Sequence, residues 1–197
     1  MQTFTHELAA AAARLVVDDG LDWGAARRQA ARLLGAPARC PLPDHAQMEQ
    51  AVREHIAIFC ADTQPRELAA LRQLALAWME RLAPFRPHLT GAVWNGTATR
   101  HSAIRLQLFC DDPKSAEIAL IDQGVRFEVQ TVTGFRGEPV DALCITCPCP
   151  ELGEAADVAL AIYDHDDLRG ALKPGADGRP ARGDRAALLA RMTEEQA

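Results

Sequence analysis

The residues best suited to chemistry lie in one segment, between Leu89 and Cys110. A glycine turn, Gly96-Thr97, is followed five residues later by Ser102, which opens an alternating run of residues. Backbone N–H groups of such a turn can hold phosphate oxygens, and an arginine can bind phosphate through two parallel hydrogen bonds. The segment therefore predicts an anion site. Its candidate ligand-binding residues are Gly96, Thr97, Arg100, Ser102, Arg105 and Gln107, with His101 in the same turn.

The spacing of Ala103, Arg105 and Gln107 predicts that they share one face of a strand, because residues two apart on a strand point the same way. Ile104, with the apolar residues that alternate after it, should face the core. The alternatives stay open at this point. Arg105 on an edge strand would point to solvent, and the hydroxyl groups of the turn would serve ordinary turn capping.

The same segment resembles the nucleotidyltransferase fold. Enzymes of that superfamily place a Gly-Ser or Gly-Gly turn after their first strand, and their next strand begins with two acidic residues separated by one hydrophobic residue. A third carboxylate comes from a later strand. The sequence LTGAVWNGTATRHSAIRLQLF matches this frame, with Gly96-Thr97 at the turn and Ala103 and Arg105 at the two acidic positions.

A closer resemblance covers most of the chain. The sequence is similar to a group of uncharacterised bacterial proteins that carry a helical N-terminal region before the same frame. The similarity includes the stretches DDPKSAEIALIDQG and DVALAIYDHDDLR.

The resemblance implies the fold more directly than the activity. Two carboxylates at these positions would hold Mg²⁺, which prefers oxygen ligands. Ala103 offers no ligand atom and Arg105 repels a cation, so metal-dependent transfer is not expected. A guanidinium can instead neutralise a phosphate. We expect a degenerate site that binds a nucleoside triphosphate or another phosphorylated ligand without transferring it.

Other possible metal ligands are isolated or poorly arranged. Glu128 occupies the kind of strand position from which a third carboxylate would come, but alone it makes a poor site. If the segment Cys144-x-x-Cys147-x-Cys149 is a strand, the thiols of Cys144 and Cys147 would face opposite sides of the sheet. Buried or edge thiols are the expected state of these cysteines, and His165 is expected in a surface turn.

The first 88 residues predict helices. The expected helices cover His6 to Val17, Trp23 to Leu34, a segment capped by Asp44, and a fourth that begins near Pro65. Pro84 and Pro87 end the fourth helix and mark a boundary between a helical region, 1–88, and a second domain, 89–197.

After Leu89 the apolar period becomes two. A strand is expected at Gly91 to Trp94 before the glycine turn, and further strands at Ile104–Cys110, Val125–Val132, Val140–Cys147 and Asp157–Tyr163. Helices are expected from Pro113 to about Gln123 and from Arg182 to Glu195, with loop chemistry at Gly175–Pro180. This order predicts an α+β fold with a small mixed sheet of nucleotidyltransferase-like topology.

Bulk composition limits the function further. The 21 basic and 27 acidic residues give a net charge of −6, all of it carried by residues 89–197, which disfavours nucleic acid as a partner. No membrane span or secretory signal is apparent, so a cytoplasmic location is expected.

Three functions remain open from the sequence. The first is ligand binding without transfer, and the second is an active nucleotidyltransferase with displaced metal ligands. The third is a protein-interaction module that uses the helical region. The missing paired carboxylates weigh against the second, and no phosphate-loop motif supports a kinase or ligase of that class.

Overall fold

A computed structural model describes residues 2–37, 39–173 and 178–195. The described residues form eight α-helices and one six-stranded mixed sheet. The helices are α1 (Gln2–Asp19), α2 (Trp23–Leu33), α3 (His45–Phe59), α4 (Gln64–Arg81), α5 (Gly91–Asn95), α6 (Pro113–Asp122), α7 (Leu168–Ala171) and α8 (Arg185–Glu194). The strands are β1 (His88–Thr90), β2 (Ile104–Cys110), β3 (Glu128–Thr133), β4 (Pro139–Cys149), β5 (Glu154–Asp164) and β6 (Arg182–Gly183).

The α+β class is confirmed, and the helical predictions for the first half hold closely. Asp44 caps α3 through a reciprocal pair: its carboxylate accepts the Gln47 N–H, and the Gln47 side chain accepts the Asp44 N–H. Pro65 lies in the first turn of α4, where its missing N–H costs nothing.

The helices divide into two packing groups. Helices α1, α2 and α3 share small clusters of their own, built around Leu8, Ala13 and Met48. Helix α4 instead packs Leu71 and Met79 into the main core with the sheet. The fourth helix therefore belongs physically with the sheet.

The sheet has the order β3-β4-β5-β2-β1-β6. Strands β2 and β5 are parallel and every other pair is antiparallel. One face packs on α4, α6 and α8 through alternate strand residues such as Leu106, Leu160 and Leu143. On the opposite face a cluster that includes Phe109, Tyr163 and Phe135 covers one end, and the remainder forms an open groove. Alternate residues of β2 point to the two faces.

Three expected elements differ from the structure. The strand expected at Gly91 to Trp94 is wrong: β1 ends at Thr90, and residues 91–95 form the short helix α5. The third strand starts at Glu128 because residues 125 and 127 pack into the core before pairing begins. At the C-terminus, Arg182 belongs to β6, and the helix starts only after the Asp184 cap.

The loop expected at Gly175–Pro180 falls partly on residues 174–177, outside the described residues. Among the residues that are described, no helix is long and apolar enough to cross a membrane.

Candidate functional site

The candidate site is a groove of about 1160 Å³ on the uncovered face of the sheet. Its walls come from the alternate residues of β2 to β5 that point away from the helices. The residues that line it include Thr90, Ala103, Arg105, Gln107, Glu128, Ala142, Cys144, Asp157, Ala159 and Tyr163.

One row of paired residues crosses the whole sheet through Arg105. From β6 to β3 it consists of Arg182, Thr90, Arg105, Ala159, Cys144 and Glu128. Residues paired in this way lie on the same face of a sheet. The row therefore fixes which groups a ligand on this face would meet, and in which order.

Arg105 is exposed in the groove, and no acidic side chain in the described part of the chain forms an ion pair with it. Its stem lies toward β1, because a Cβ at Gly91 would come within 3.5 Å of the Arg105 Cδ. Gly91 itself has φ +71°, a left-handed conformation that favours glycine. The Arg105 side chain therefore passes beside Gly91, and no described carboxylate forms an ion pair with its guanidinium, which can bind an anion.

Small side chains form the floor beside Arg105. Ala159 pairs directly with Arg105, and the next row pairs Ala161 with both Gln107 and Ala142. Because alanine projects only one carbon from the sheet, the groove is deep at these positions. The floor therefore has room for a ligand, and the Arg105 guanidinium lies beside that space.

Two carboxylates on the strands also line the groove: Asp157 on β5, the strand next to β2, and Glu128 on the outer strand β3. The Thr146 hydroxyl donates to Oδ1 of Asp157 at 2.7 Å. The sequence interpretation considered Glu128 but missed Asp157. A signal was present, since Asp157 shares the alternation of Ala159, Ala161 and Tyr163 and so had to lie on the same face as Arg105.

One end of this face is closed by a polar and aromatic cluster. Gln107 is buried there and accepts a hydrogen bond from Nη1 of Arg182 at 2.7 Å. The Arg182 guanidinium lies 4.8 Å from the ring centre of Phe135, and Tyr163 stacks on Phe109 at 5.6 Å. Burial lowers the pKa of Arg182 and raises that of Tyr163. Gln107 is thus already engaged and forms part of the wall.

The turn residues lie apart from the groove and are used within the fold. The carbonyls of Gly96 and Ala98 accept hydrogen bonds from the Gln64 amide at 3.1 and 2.9 Å, and Thr97 is buried. Ser102 accepts the Thr99 N–H at 3.0 Å. None of these residues lines the groove, so the structure separates the turn from Arg105 and Gln107.

Arg100 is also occupied. Its Nε donates to Glu154 at 2.7 Å, and its backbone N–H donates to Glu67 at 2.9 Å. The hydrogen bond to Glu154 raises the pKa of Arg100, and the same contact lowers the pKa of Glu154. Arg100 therefore ties the turn to α4 and β5 and does not face the groove.

The cysteine candidates divide between the two faces, as their spacing predicts. Cys144 lies on the groove floor, while Cys147 and Cys149 pack on the helix-covered side. All six cysteines are free thiols. Burial raises the pKa of Cys144, with smaller contributions from Asp157 and Glu128.

No group of three metal-ligating side chains occurs among the described residues. Glu128 lies three strands from Arg105, at the other side of the sheet. His165 begins a short 3-10 helix, His165–Asp167, rather than the expected surface turn, and its Nδ1 lies 3.9 Å from Asp111 Oδ1.

The groove thus combines an accessible guanidinium, a floor of small residues and two separate carboxylates on the strands. Such a surface can bind an anionic group by paired hydrogen bonds at Arg105 and hold the rest of a flat ligand against the alanines. In comparisons with known proteins, no protein-family model matches the chain, and no curated protein matches it significantly.

Proposed function

We propose that this protein binds a phosphorylated small molecule, with a nucleotide as the first candidate, on the uncovered sheet face and does not transfer it. The observation that carries the proposal is Arg105, a guanidinium without an ion-pair partner in the described chain, standing beside a groove with an alanine floor. A phosphate would supply the negative partner that no described side chain gives to Arg105.

The nucleotidyltransferase resemblance supports this proposal if Gly91, rather than Gly96, is taken as the glycine of the turn. In that frame a glycine turn follows the first strand, and here Gly91 directly follows β1. Ala103 and Arg105 then line the groove at the positions where the superfamily has its acidic pair. The proposed ligand site is therefore centred on Gly91 and Arg105 rather than on Gly96 and Thr97.

A transferase with displaced metal ligands is the second candidate, because Asp157 lies on the same face as Ala103. The other carboxylate on the strands of this face, Glu128, is two strands away from β5, about 10 Å at the usual strand spacing. Ligands to one Mg²⁺ must each approach to about 2.1 Å, so these two do not replace a carboxylate pair. Binding without transfer fits the residues better.

The test is calorimetric titration of the protein with the four nucleoside triphosphates, each with and without Mg²⁺. Saturable binding that does not depend on Mg²⁺ is the expected result. Absence of binding at millimolar nucleotide would overturn the proposal and favour an interaction module. Incorporation of labelled nucleotide into any acceptor would instead favour the transferase.

A further inference from the structure

The outer edge of the sheet is formed by β3, which pairs with β4 on one side and, among the described residues, with no strand on the other. Five of its six residues are exposed, and Val132 is partly buried. Natural sheets block such edges with proline, lysine, a bulge or a covering segment. The β3 sequence contains neither proline nor lysine, and Glu128 is its single charged residue. The strand is therefore an open edge that another strand can join.

The backbone groups of β3 alternate in direction. The Gly134 N–H donates to the Glu138 carbonyl at 2.7 Å, directly beside the last β3–β4 pair. In an antiparallel ladder, hydrogen-bonded and non-bonded pairs alternate, so every second residue of β3, beginning with Glu128, bonds to β4. The N–H and C=O groups of the other three residues point outward. These residues are Val129, Thr131 and Thr133.

Exposed apolar side chains accompany this edge on the helix-covered side of the sheet. Val129 pairs with the core residue Leu143, so it lies on that face, and it is 56% exposed. Helix α6 packs on the same face, and its residues Ile118 and Ile121 are 54% and 61% exposed. Exposed apolar surface rimmed by polar residues is typical of protein interaction sites. The edge therefore offers both backbone hydrogen bonds and apolar contacts.

We propose that β3 pairs with the β3 strand of a second copy of this chain, in antiparallel orientation about a two-fold axis at Val129. Such a contact uses the same surface on both copies, as two-fold dimers do. The two sheets become one continuous sheet, and because the axis is perpendicular to it, both grooves open on the same side. This inference does not depend on the proposed function.

The side chains of β3 are complementary to themselves in this register. Val129 lies opposite Val129 of the second copy, which removes two exposed apolar side chains from water. Glu128 lies opposite the second copy's Gln130, whose amide can donate to the carboxylate. An axis at Glu128 would instead oppose two carboxylates, and an axis at Gln130 would leave Glu128 opposite the apolar Val132. Charge and apolar contact therefore both favour the axis at Val129.

The experiment measures the molar mass in solution by light scattering, without nucleotide. The wild-type protein at about 100 µM should have twice the 21.4 kDa mass of one chain, with a Kd for the dimer of about 10 µM or tighter. Val129→Lys places two cations opposite each other and should weaken the dimer by about tenfold or more, with an unchanged circular dichroism spectrum. The matched control is Ile58→Lys, the same kind of change at a residue of α3 that is 70% exposed, and it should dimerise like the wild type.

Amide hydrogen exchange tests where the copies meet. In the wild-type dimer the Thr131 N–H bonds to the second copy, so it should exchange about tenfold or more slowly than in Val129→Lys. The Gln130 N–H bonds to β4 within each copy and should change by less than about threefold between the two proteins.

A monomeric wild-type protein at about 100 µM would overturn the proposal, and so would a Val129→Lys protein that dimerises as tightly as the wild type. Equal exchange of the Thr131 N–H in the two proteins would also overturn the β3 contact. A dimer that binds no nucleotide would contradict only the proposed function, and a monomer that binds nucleotide would contradict only this inference.

Discussion

Arg105 lies directly opposite Ala159 on the parallel strand β5. This pairing keeps the guanidinium without a neighbour of opposite charge on its own row and gives the groove its depth. The first property depends on Ala159 being uncharged, and the second on the small size of its side chain.

The substitution Ala159→Glu should therefore weaken anion binding strongly. The new carboxylate would face Arg105 directly, and opposite charges at paired positions stabilise a sheet by about 0.2–1 kcal/mol. Affinity for ATP should fall by tenfold or more, measured by calorimetry, while the melting temperature stays close to that of the wild type. Ala155→Glu is the matched control, since Ala155 is exposed on the same strand but does not line the groove. Equal losses in both variants would contradict the role given to Ala159.

The substitution Gly183→Ala should destabilise the fold. A Cβ there would lie 2.2 Å from the Trp94 ring, which is buried and donates its indole N–H to Pro180 at 2.7 Å. Overpacking of this kind costs about 1–3 kcal/mol, measurable by urea unfolding. In a Trp94→Leu background the same substitution should cost less, because the ring has gone. A cost that is unchanged in that background would show that the clash is not the cause.

Arg72 should contribute more to stability than its partner Glu195. The Arg72 side chain is 3% exposed and the Glu195 side chain 48% exposed, and both nitrogens at the end of Arg72 donate to the Glu195 carboxylate. Its Nε also donates to the Val93 carbonyl at 3.1 Å. Arg72→Ala should cost about 2–4 kcal/mol, whereas water can replace Glu195, so Glu195→Ala should cost about 1 kcal/mol. Chemical denaturation measures the loss in free energy of unfolding for each variant. A larger loss for Glu195→Ala than for Arg72→Ala would refute the greater role given to Arg72.

Cys144 reports on occupancy of the groove. Because burial and the nearby carboxylates raise the pKa of its thiol, alkylation of Cys144 should become fast only at a higher pH than for an unperturbed cysteine. The neutral thiol is the favoured form in the folded state, so its contribution to stability is present at neutral pH and declines as the pH rises through the raised pKa. Saturating ATP should slow its alkylation several-fold. Cys40 lies outside the groove and should react at the same rate with and without ATP, as mass spectrometry of the labelled peptides can show. Protection of both thiols, or of neither, would count against binding on this face.

Much of the fold could be predicted from local sequence signals. The Asp44 cap, Pro65 in the first turn of α4 and the strand at Ile104–Cys110 each follow from short-range physical rules, and each appears in the structure. The error at residues 91–95 has an equally local cause. A helix of five residues is too short to show a period, and it exists because Gly91 and Gly96 both take positive φ and because Trp94 is fixed by Pro180 far along the chain.

The candidate site was predicted only in part. Alternation correctly placed Arg105 and Gln107 on one face, but the expected partnership with the turn did not appear, because Gln64 and Glu67 of α4 bind the turn instead. The burial of Gln107 depends on Arg182, 75 positions away, and no local pattern could reveal that contact. Long-range packing decided which of the predicted residues remain available to a ligand.

The most direct test of the central claim is the affinity of Arg105→Ala for ATP in the absence of Mg²⁺, compared with Arg126→Ala. Both residues are exposed in the groove and both substitutions remove one positive charge, but only Arg105 lies beside Gly91. We predict a loss of at least tenfold for Arg105→Ala, about 1.4 kcal/mol or more, with little change in melting temperature, and a loss of less than threefold for Arg126→Ala. Wild-type affinity in Arg105→Ala, or equal losses in the two variants, would contradict the claim that Arg105 is the phosphate-binding residue.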